Sequence, residues 1–305
     1  DRVRALKLAD VQRVAVERLL PANRTFGLYL PTDKPLRPPL PANVDVAQQM
    51  AQFVPQAAAQ ASERFEATPA NIDARTQRGR LGGAASGVQV ALLPKSTRGA
   101  VVNTVITLRI GDLEAFRGQA EAASMMASML DKGGAGLTRQ QVQDRLDELQ
   151  AELRFGFTDT GALSAIVQTR RQHLPAAIEL ATRLLRQPSF DPATLEEQKR
   201  QALTAIEAAR KEPEALLDEA LDRHGNPYPR GDIRHARSFD ERVQDVSAIT
   251  AESLRTLHAR MVGASRVEVG AVGDFDAATL RSALERGLGN WASPSPYARV
   301  PTPLV

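Results

Sequence analysis

Residues 87–93 and 101–110 are rich in β-branched and aliphatic side chains, and only a short segment bounded by Pro94 and Gly99 divides them. Such side chains pack well on a pleated surface, so both runs are predicted strands, with residues 94–99 turning between them as a hairpin. Long amphipathic helices follow. That combination points to an α+β fold, an antiparallel sheet with helices packed on one face.

The helices mark their own ends. Residues 119–130 form one that stops at Gly133 and Gly134. Thr138 begins the next, with Gln141 three residues on in a capping-box pattern, and Val142, Leu146, Leu149 and Leu153 give its apolar stripe. Residues 155–158 and 163–169 read as a second hairpin. Residues 175–186 are helical, with Ile178, Ala181 and Leu185 on one face. Asp191 and Pro192 supply an N-cap and a first-turn proline for a helix running to Lys211, and Pro213 opens another. A loop over 224–231, a helix capped by Thr250, a strand over 265–272 and a last helix capped by Asp276 complete the pattern.

Two zones of different character precede it. Residues 1–30 read as a helix over 6–20, a break at Pro21 and Asn23, and strand character over 24–30. Residues 31–66 carry Pro35, Pro38, Pro39, Pro41 and Pro55 with an Ala/Gln run, the composition of a linker, with room for one short helix over 44–53. Asp10, Arg18 and Arg24 align with Glu252, Arg260 and Arg266 at one shared offset, and both copies read helix, break, strand. The first zone is therefore expected to be the tail of a module like the second. Because the chain opens at Asp1 inside a helix, it is expected to be a fragment.

Composition removes several classes. With no cysteine in 305 residues there is no disulfide, iron–sulfur cluster or thiolate zinc site. No apolar run is long enough to cross a membrane. The net charge of +3 comes from scattered arginine, and the few aromatics are not interleaved with basic residues, so a solvated surface explains it better than nucleic acid.

Catalytic patterns are equally sparse. None of His173, His224, His235 and His258 lies three to five residues from another, as a helical metal pair requires. His224 and His235 read as solvated loop residues, and the carboxylates of residues 144–152 and 196–207 as solvated helix faces. Met125, Met126 and Met129 read as core packing, and the Gly-rich runs at 79–87 and 133–136 as a turn and a helix stop.

The order of elements and several strings resemble the pitrilysin/insulinase family of zinc metallopeptidases. They are Gly87-Val88-Gln89-Val90, the helix from Ala123 to Leu130 running into Lys132-Gly133-Gly134, Gln187-Pro188-Ser189-Phe190, the segment ending at Pro213, His224-Gly225-Asn226-Pro227-Tyr228, and Val272-Gly273-Asp274-Phe275. The resemblance implies a preceding module's C-terminal tail over 1–30, the linker over 31–66, one complete module over 67–293, and a linker to a following module over 294–305. Active members carry HxxEH on the first long helix, where two histidines one turn apart hold zinc and the glutamate activates water. Placed by the resemblance, those positions are Ser124, Ala127 and Ser128, and the third ligand, a glutamate on a later helix, falls at Ala205. All four side chains are small, and three are expected as a mildly polar face against a neighbouring strand. The resemblance therefore implies a degenerate module without cofactor, paired with an HxxEH-bearing catalytic half that holds zinc, in the same chain or in another. Its role would be to close a chamber and contact peptide, with neither nucleic acid nor membrane as partner. Arg230 and Tyr228 are given no substrate-orienting role. A periplasmic location is favoured by the resemblance, with a cytoplasmic one open. The alternative is a structural or assembly scaffold subunit that has lost peptidase function.

Overall fold

The computed structural model describes residues 7–27, 62–82, 87–158 and 160–301. Contacts divide the chain into two units, Asp1–Gln56 and Ala57–Val305. In the first, α1 spans Leu8–Arg18 and a 3-10 turn follows at Pro21–Asn23. Asp10 accepts the Lys7 amide at 3.0 Å, satisfying one of the free N–H groups of the first turn. No side chain of α1 is buried. Residues 24–27 belong to no strand; the rest of the strand expected over 24–30, and the helix expected over 44–53, lie outside the described residues.

The second unit is built on a sheet. In chain order its strands are β1 (Gln77–Leu81), β2 (Val88–Pro94), β3 (Val101–Arg109), the two-residue β4 (Gly133–Gly134) and β5 (Leu137–Thr138), then β6 (Glu152–Thr158), β7 (Ala162–Arg170) and β8 (Val267–Gly273). β4 and β5 pair with each other; the remaining six form one sheet in the order β1-β2-β8-β3-β7-β6. All of its pairs are antiparallel except β2 with β8. The helices are α2 (Pro69–Arg75), α3 (Ala120–Met129), α4 (Arg139–Glu148), α5 (Leu174–Arg186), α6 (Pro192–Ala209), α7 (Pro213–His224), α8 (Phe239–Ala248), α9 (Ala251–Met261) and α10 (Ala277–Leu288).

This order corrects the first predicted hairpin. β2 and β3 are not neighbours, because β8 lies between them, with Val88 opposite Val267 and Val105 opposite Gly270. Two strand spacings are about 10 Å, which the residues joining β2 to β3 span without strain. The β-branched runs show that each segment is a strand but carry nothing about a partner far along the chain. β8 fits the gap because glycine ends it: Gly273 has φ 142°, and a Cβ there would strike the Val101 carbonyl. The second predicted hairpin, β6 with β7, is present, with Phe155 opposite Ala165.

Among the described residues, helices cover one face only. Val88, Val90 and Leu92, then Val102, Ile106 and Leu108, Leu163, Ala165 and Val167, and Val267, Val269 and Ala271 alternate into the core. α3 packs on β6 and α9, α5 on β7 and α10, and α10 on β1 and β2. The predicted caps are in place at Thr138, Asp191, Thr250 and Asp276. Val142 and Leu146 are buried on α4, as are Met125, Met126 and Met129 on α3; Leu149 is the C-cap of α4, and Leu153, expected on the same helical stripe, is instead buried from β6. α2, β1 and α8 were not foreseen. The capping box of Ser238 and Glu241 that starts α8 was a readable signal.

Candidate functional site

α3 places three of the four motif positions. Its outer side carries Ser124 and Ser128, four residues apart and so on one face; both are exposed. Ser124 Oγ donates to the Ala120 carbonyl at 3.1 Å, and Ser128 Oγ to the Met125 carbonyl at 2.8 Å. Ala127 is turned inward and is 2% exposed. The three thus do not make one face against a strand: the serines meet solvent and only the alanine joins the core. Ala205 is exposed on α6. Both helices pack against α8.

This donor set does not suit zinc. Two hydroxyls already spent on backbone carbonyls and two methyl groups supply neither imidazole nor carboxylate. Among the described residues there is no group of three or more histidine or acidic side chains able to hold a metal ion. Glu207 is exposed, and its carboxylate lies 3.5 Å from Arg210.

The charges near α3 are consumed in structure. Glu121, in its first turn, meets Arg237 and Arg242, each at 3.3 Å. The segment after α7 is tied by a polar network. Arg234 stacks on the Tyr228 ring at 3.9 Å and pairs with Asp232 at 2.8 Å. That guanidinium holds the Asp232 carboxyl below the ordinary aspartate range. Asn226 accepts the Tyr228 amide and donates to the Arg234 carbonyl. His235 contacts the Tyr228 carbonyl through Nδ1 at 2.9 Å and Glu241 through Nε2 at 3.2 Å, so it is a structural residue rather than the solvated one expected. The amide of Ser238, more than His235, lowers the Glu241 carboxyl. Arg230 reaches Gln244 and Glu241. His224 is exposed at the end of α7. His258 is held by the Leu185 carbonyl at 2.8 Å and packs edge-on to Phe190; burial pushes its pKa down.

What remains open is the uncovered face of the sheet. One row crosses all six strands: Arg78, Ala91, Gly270, Val105, Ile166 and Arg154. Val105, Ile166 and the nearby Val272 are exposed, and a trough of about 630 Å³ lies over Gly270 and Ala91. At the end of the sheet, β6 pairs on one side only among the described residues, and its Phe155 and Phe157 turn toward the covered face, half-buried against the core. Sequence reasoning assigned none of these residues to a bare face, since which strand face stays bare depends on where the helices pack.

Comparison with solved structures places this architecture. The inactive domain of a peptidase M16 from Pseudomonas fluorescens superposes with a TM-score of 0.60 at 19% identity, covering 75% of this chain and 54% of that one. The fold is that of an M16-like peptidase module. A protease from Helicobacter pylori matches with a TM-score of 0.59 at 14% identity, over 75% of this chain and 53% of its own. A mutant of the ferredoxin protease FusC, in complex with Arabidopsis ferredoxin, matches with a TM-score of 0.54 at 15% identity, over 75% of this chain and 25% of its own. At these identities the likeness is one of fold. This chain spans about half the length of the first two. No protein-family model matches the sequence, and no curated protein does.

Proposed function

We propose that this chain is the non-catalytic, substrate-enclosing module of a pitrilysin/insulinase-like zinc peptidase. The observation that carries the reading is the pairing of an M16-like fold with Ser124, Ala127, Ser128 and Ala205 at the motif positions. Zinc and the water-activating glutamate belong to an HxxEH-bearing half that pairs with it. This module acts by walling off a chamber, excluding bulk water and restricting the geometry of bound peptide. The outer edge of β6, unpaired among the described residues, supports the peptide contact, because an edge strand can accept an extended chain through main-chain hydrogen bonds.

The test uses the purified chain, alone and with the HxxEH-bearing half encoded with it. Alone it carries no stoichiometric zinc by elemental analysis and does not hydrolyse a quenched-fluorescent peptide. Mixed, the two hydrolyse peptide faster than the catalytic half does by itself. Stoichiometric zinc on the isolated chain, removed by His224→Ala or His235→Ala, would overturn the proposal. Tight pairing without any gain in hydrolysis would leave the scaffold reading in its place.

A further inference from the structure

Residues 294–301, whose prolines read as the start of a linker, lie on the second unit. After α10 the chain runs to Pro301 in neither strand nor helix, and its burial alternates. Trp291, Ser293, Ser295 and Tyr297 are half-buried, and the residues between them are exposed. Two of the exposed ones are Pro294 and Pro296, whose rings favour an extended backbone and lack the N–H that a strand would pair. The segment is a strap laid across the surface.

Its two halves are held differently. The first is interlocked with the chain between α9 and β8. The Trp291 carbonyl accepts the Ala264 amide at 2.8 Å. Ser265 donates its amide to Ser293 Oγ at 3.1 Å, and Ser293 donates its own to Ser265 Oγ at 2.7 Å. A Cβ on Gly263 would lie 2.4 Å from Ser293 Cα, so glycine is what lets the two backbones touch. The second half has fewer attachments. Arg266 lies over the Tyr297 ring at 5.4 Å, and the Ala298 amide donates to the Gly111 carbonyl at 3.1 Å. Val300 is 2% exposed, and the Pro301 carbonyl accepts Arg234 at 2.7 Å.

Ala298 and Pro301 thus land on the two segments that hold the N-terminal end of α3. Residues 111–118 lead into that helix, and the Gly118 amide donates to the Gly231 carbonyl at 2.7 Å. Residues 226–237 reach it through Arg237, which meets Glu121. Arg234 is the junction, because one guanidinium covers the Tyr228 ring, pairs with Asp232 and donates to the strap. We propose that residues 296–301 are a latch. Seated, they hold residues 111–118 and 226–235 together at the start of α3. Lifted, they free both segments, while the first half of the strap and the sheet stay in place. The prolines keep the lifted end extended and ready to reseat. A pull on the chain at Pro301 is thereby passed to the helix that carries Ser124, Ala127 and Ser128.

Hydrogen exchange of the full chain, read by mass spectrometry, tests this and does not depend on the peptidase reading. Val300→Asp puts an unpaired carboxylate into the apolar seat and lifts the latch. Exchange is expected to quicken at least ~10-fold in peptides spanning 111–118 and 226–235, and to stay unchanged in β3 and β7. Val300→Ala is the milder form, expected to give the same pattern at smaller size should the aspartate variant not fold. Arg234→Leu is expected to loosen 226–235 by itself, and adding Val300→Ala to it should bring no further gain there. Leu108→Ala, in the core, provides the comparison, with faster exchange throughout the sheet. Three results would each overturn the proposal: faster exchange confined to 296–301, a rise in β3 and β7 like that of Leu108→Ala, or additive effects at 226–235 in the double variant.

Discussion

The sheet has one face under helices and one without, and their side chains obey different rules although they alternate along the same strands. In β3, Leu108 points into the core and is 0% exposed, while Val105, three residues earlier, looks outward. Across the pair, Ile166 on β7 is 46% exposed despite being as apolar as anything beneath the helices. On the covered face a side chain contributes by filling a dense interior; on the bare face it contributes little until another surface arrives. The motif helix repeats the contrast, with Ala127 inside and Ser124 and Ser128 outside.

The largest expected effect pits the two faces against each other. Leu108→Ala should destabilise the fold by about 4 kcal/mol through lost transfer energy and a residual cavity. Ile166→Ala should stay within about 0.5 kcal/mol. Urea unfolding of each variant against the parent chain measures both. Equal losses would mean that the bare face is covered within the chain.

The same contrast can be drawn on α3. Ala127→Glu should lose about 3 kcal/mol, because a carboxylate would be forced into the core without a partner. Ser124→Glu should be close to neutral. Comparable thermal midpoints for the two variants would show that Ala127 opens outward in solution, and that the motif's glutamate position is more accommodating than its burial implies.

A smaller effect, of opposite sign, comes from Thr104. It is fully buried on the covered face of β3, and its Oγ1 has no hydrogen-bond partner among the described residues. Thr104→Val keeps the shape and removes the unsatisfied hydroxyl, so a gain of about 1 kcal/mol is expected in the same unfolding experiment. A loss would mean that the hydroxyl is bonded, most simply to an internal water.

The smallest effect is on pH dependence. Burial lowers the His258 pKa in the folded protein, so between that value and the ordinary one of about 6.5 the unfolded chain binds the extra proton. The stability linked to this group is therefore complete above about pH 6.5 and declines as pH falls toward the folded pKa. Denaturation series between neutral and mildly acidic pH should show the slope, and His258→Gln should flatten it. An unchanged slope in the variant would show that His258 is not its source.

Local chemistry made much of the second unit legible. Thr138 and Gln141 fix the start of α4, Asp191 and Pro192 that of α6, and Thr250 and Asp276 those of α9 and α10, because a cap acts within one turn of the chain. The β6–β7 hairpin was readable for the same reason. The first hairpin was not, since β8 enters from far along the chain and a strand's own pattern cannot name a distant neighbour. His235 was misjudged on similar grounds: its partners Tyr228 and Glu241 are close in sequence, yet only the folded segment aims them at the ring. α1 and α9 are each followed by a break, but α9 buries Leu254, Leu257 and Met261 whereas α1 buries nothing.

By itself the sequence determined the α+β class, the helix starts, the apolar stripes and the small residues at Ser124, Ala127, Ser128 and Ala205. These follow from side-chain volume, backbone preference and hydrogen bonds reaching a few residues. Tertiary structure alone decided that β8 separates β2 from β3, that Ala127 is buried while its serine neighbours are not, and that Val105, Ile166 and Val272 are left exposed on the face the helices do not cover. Burial is a property of what packs on a residue, and no residue carries that information alone.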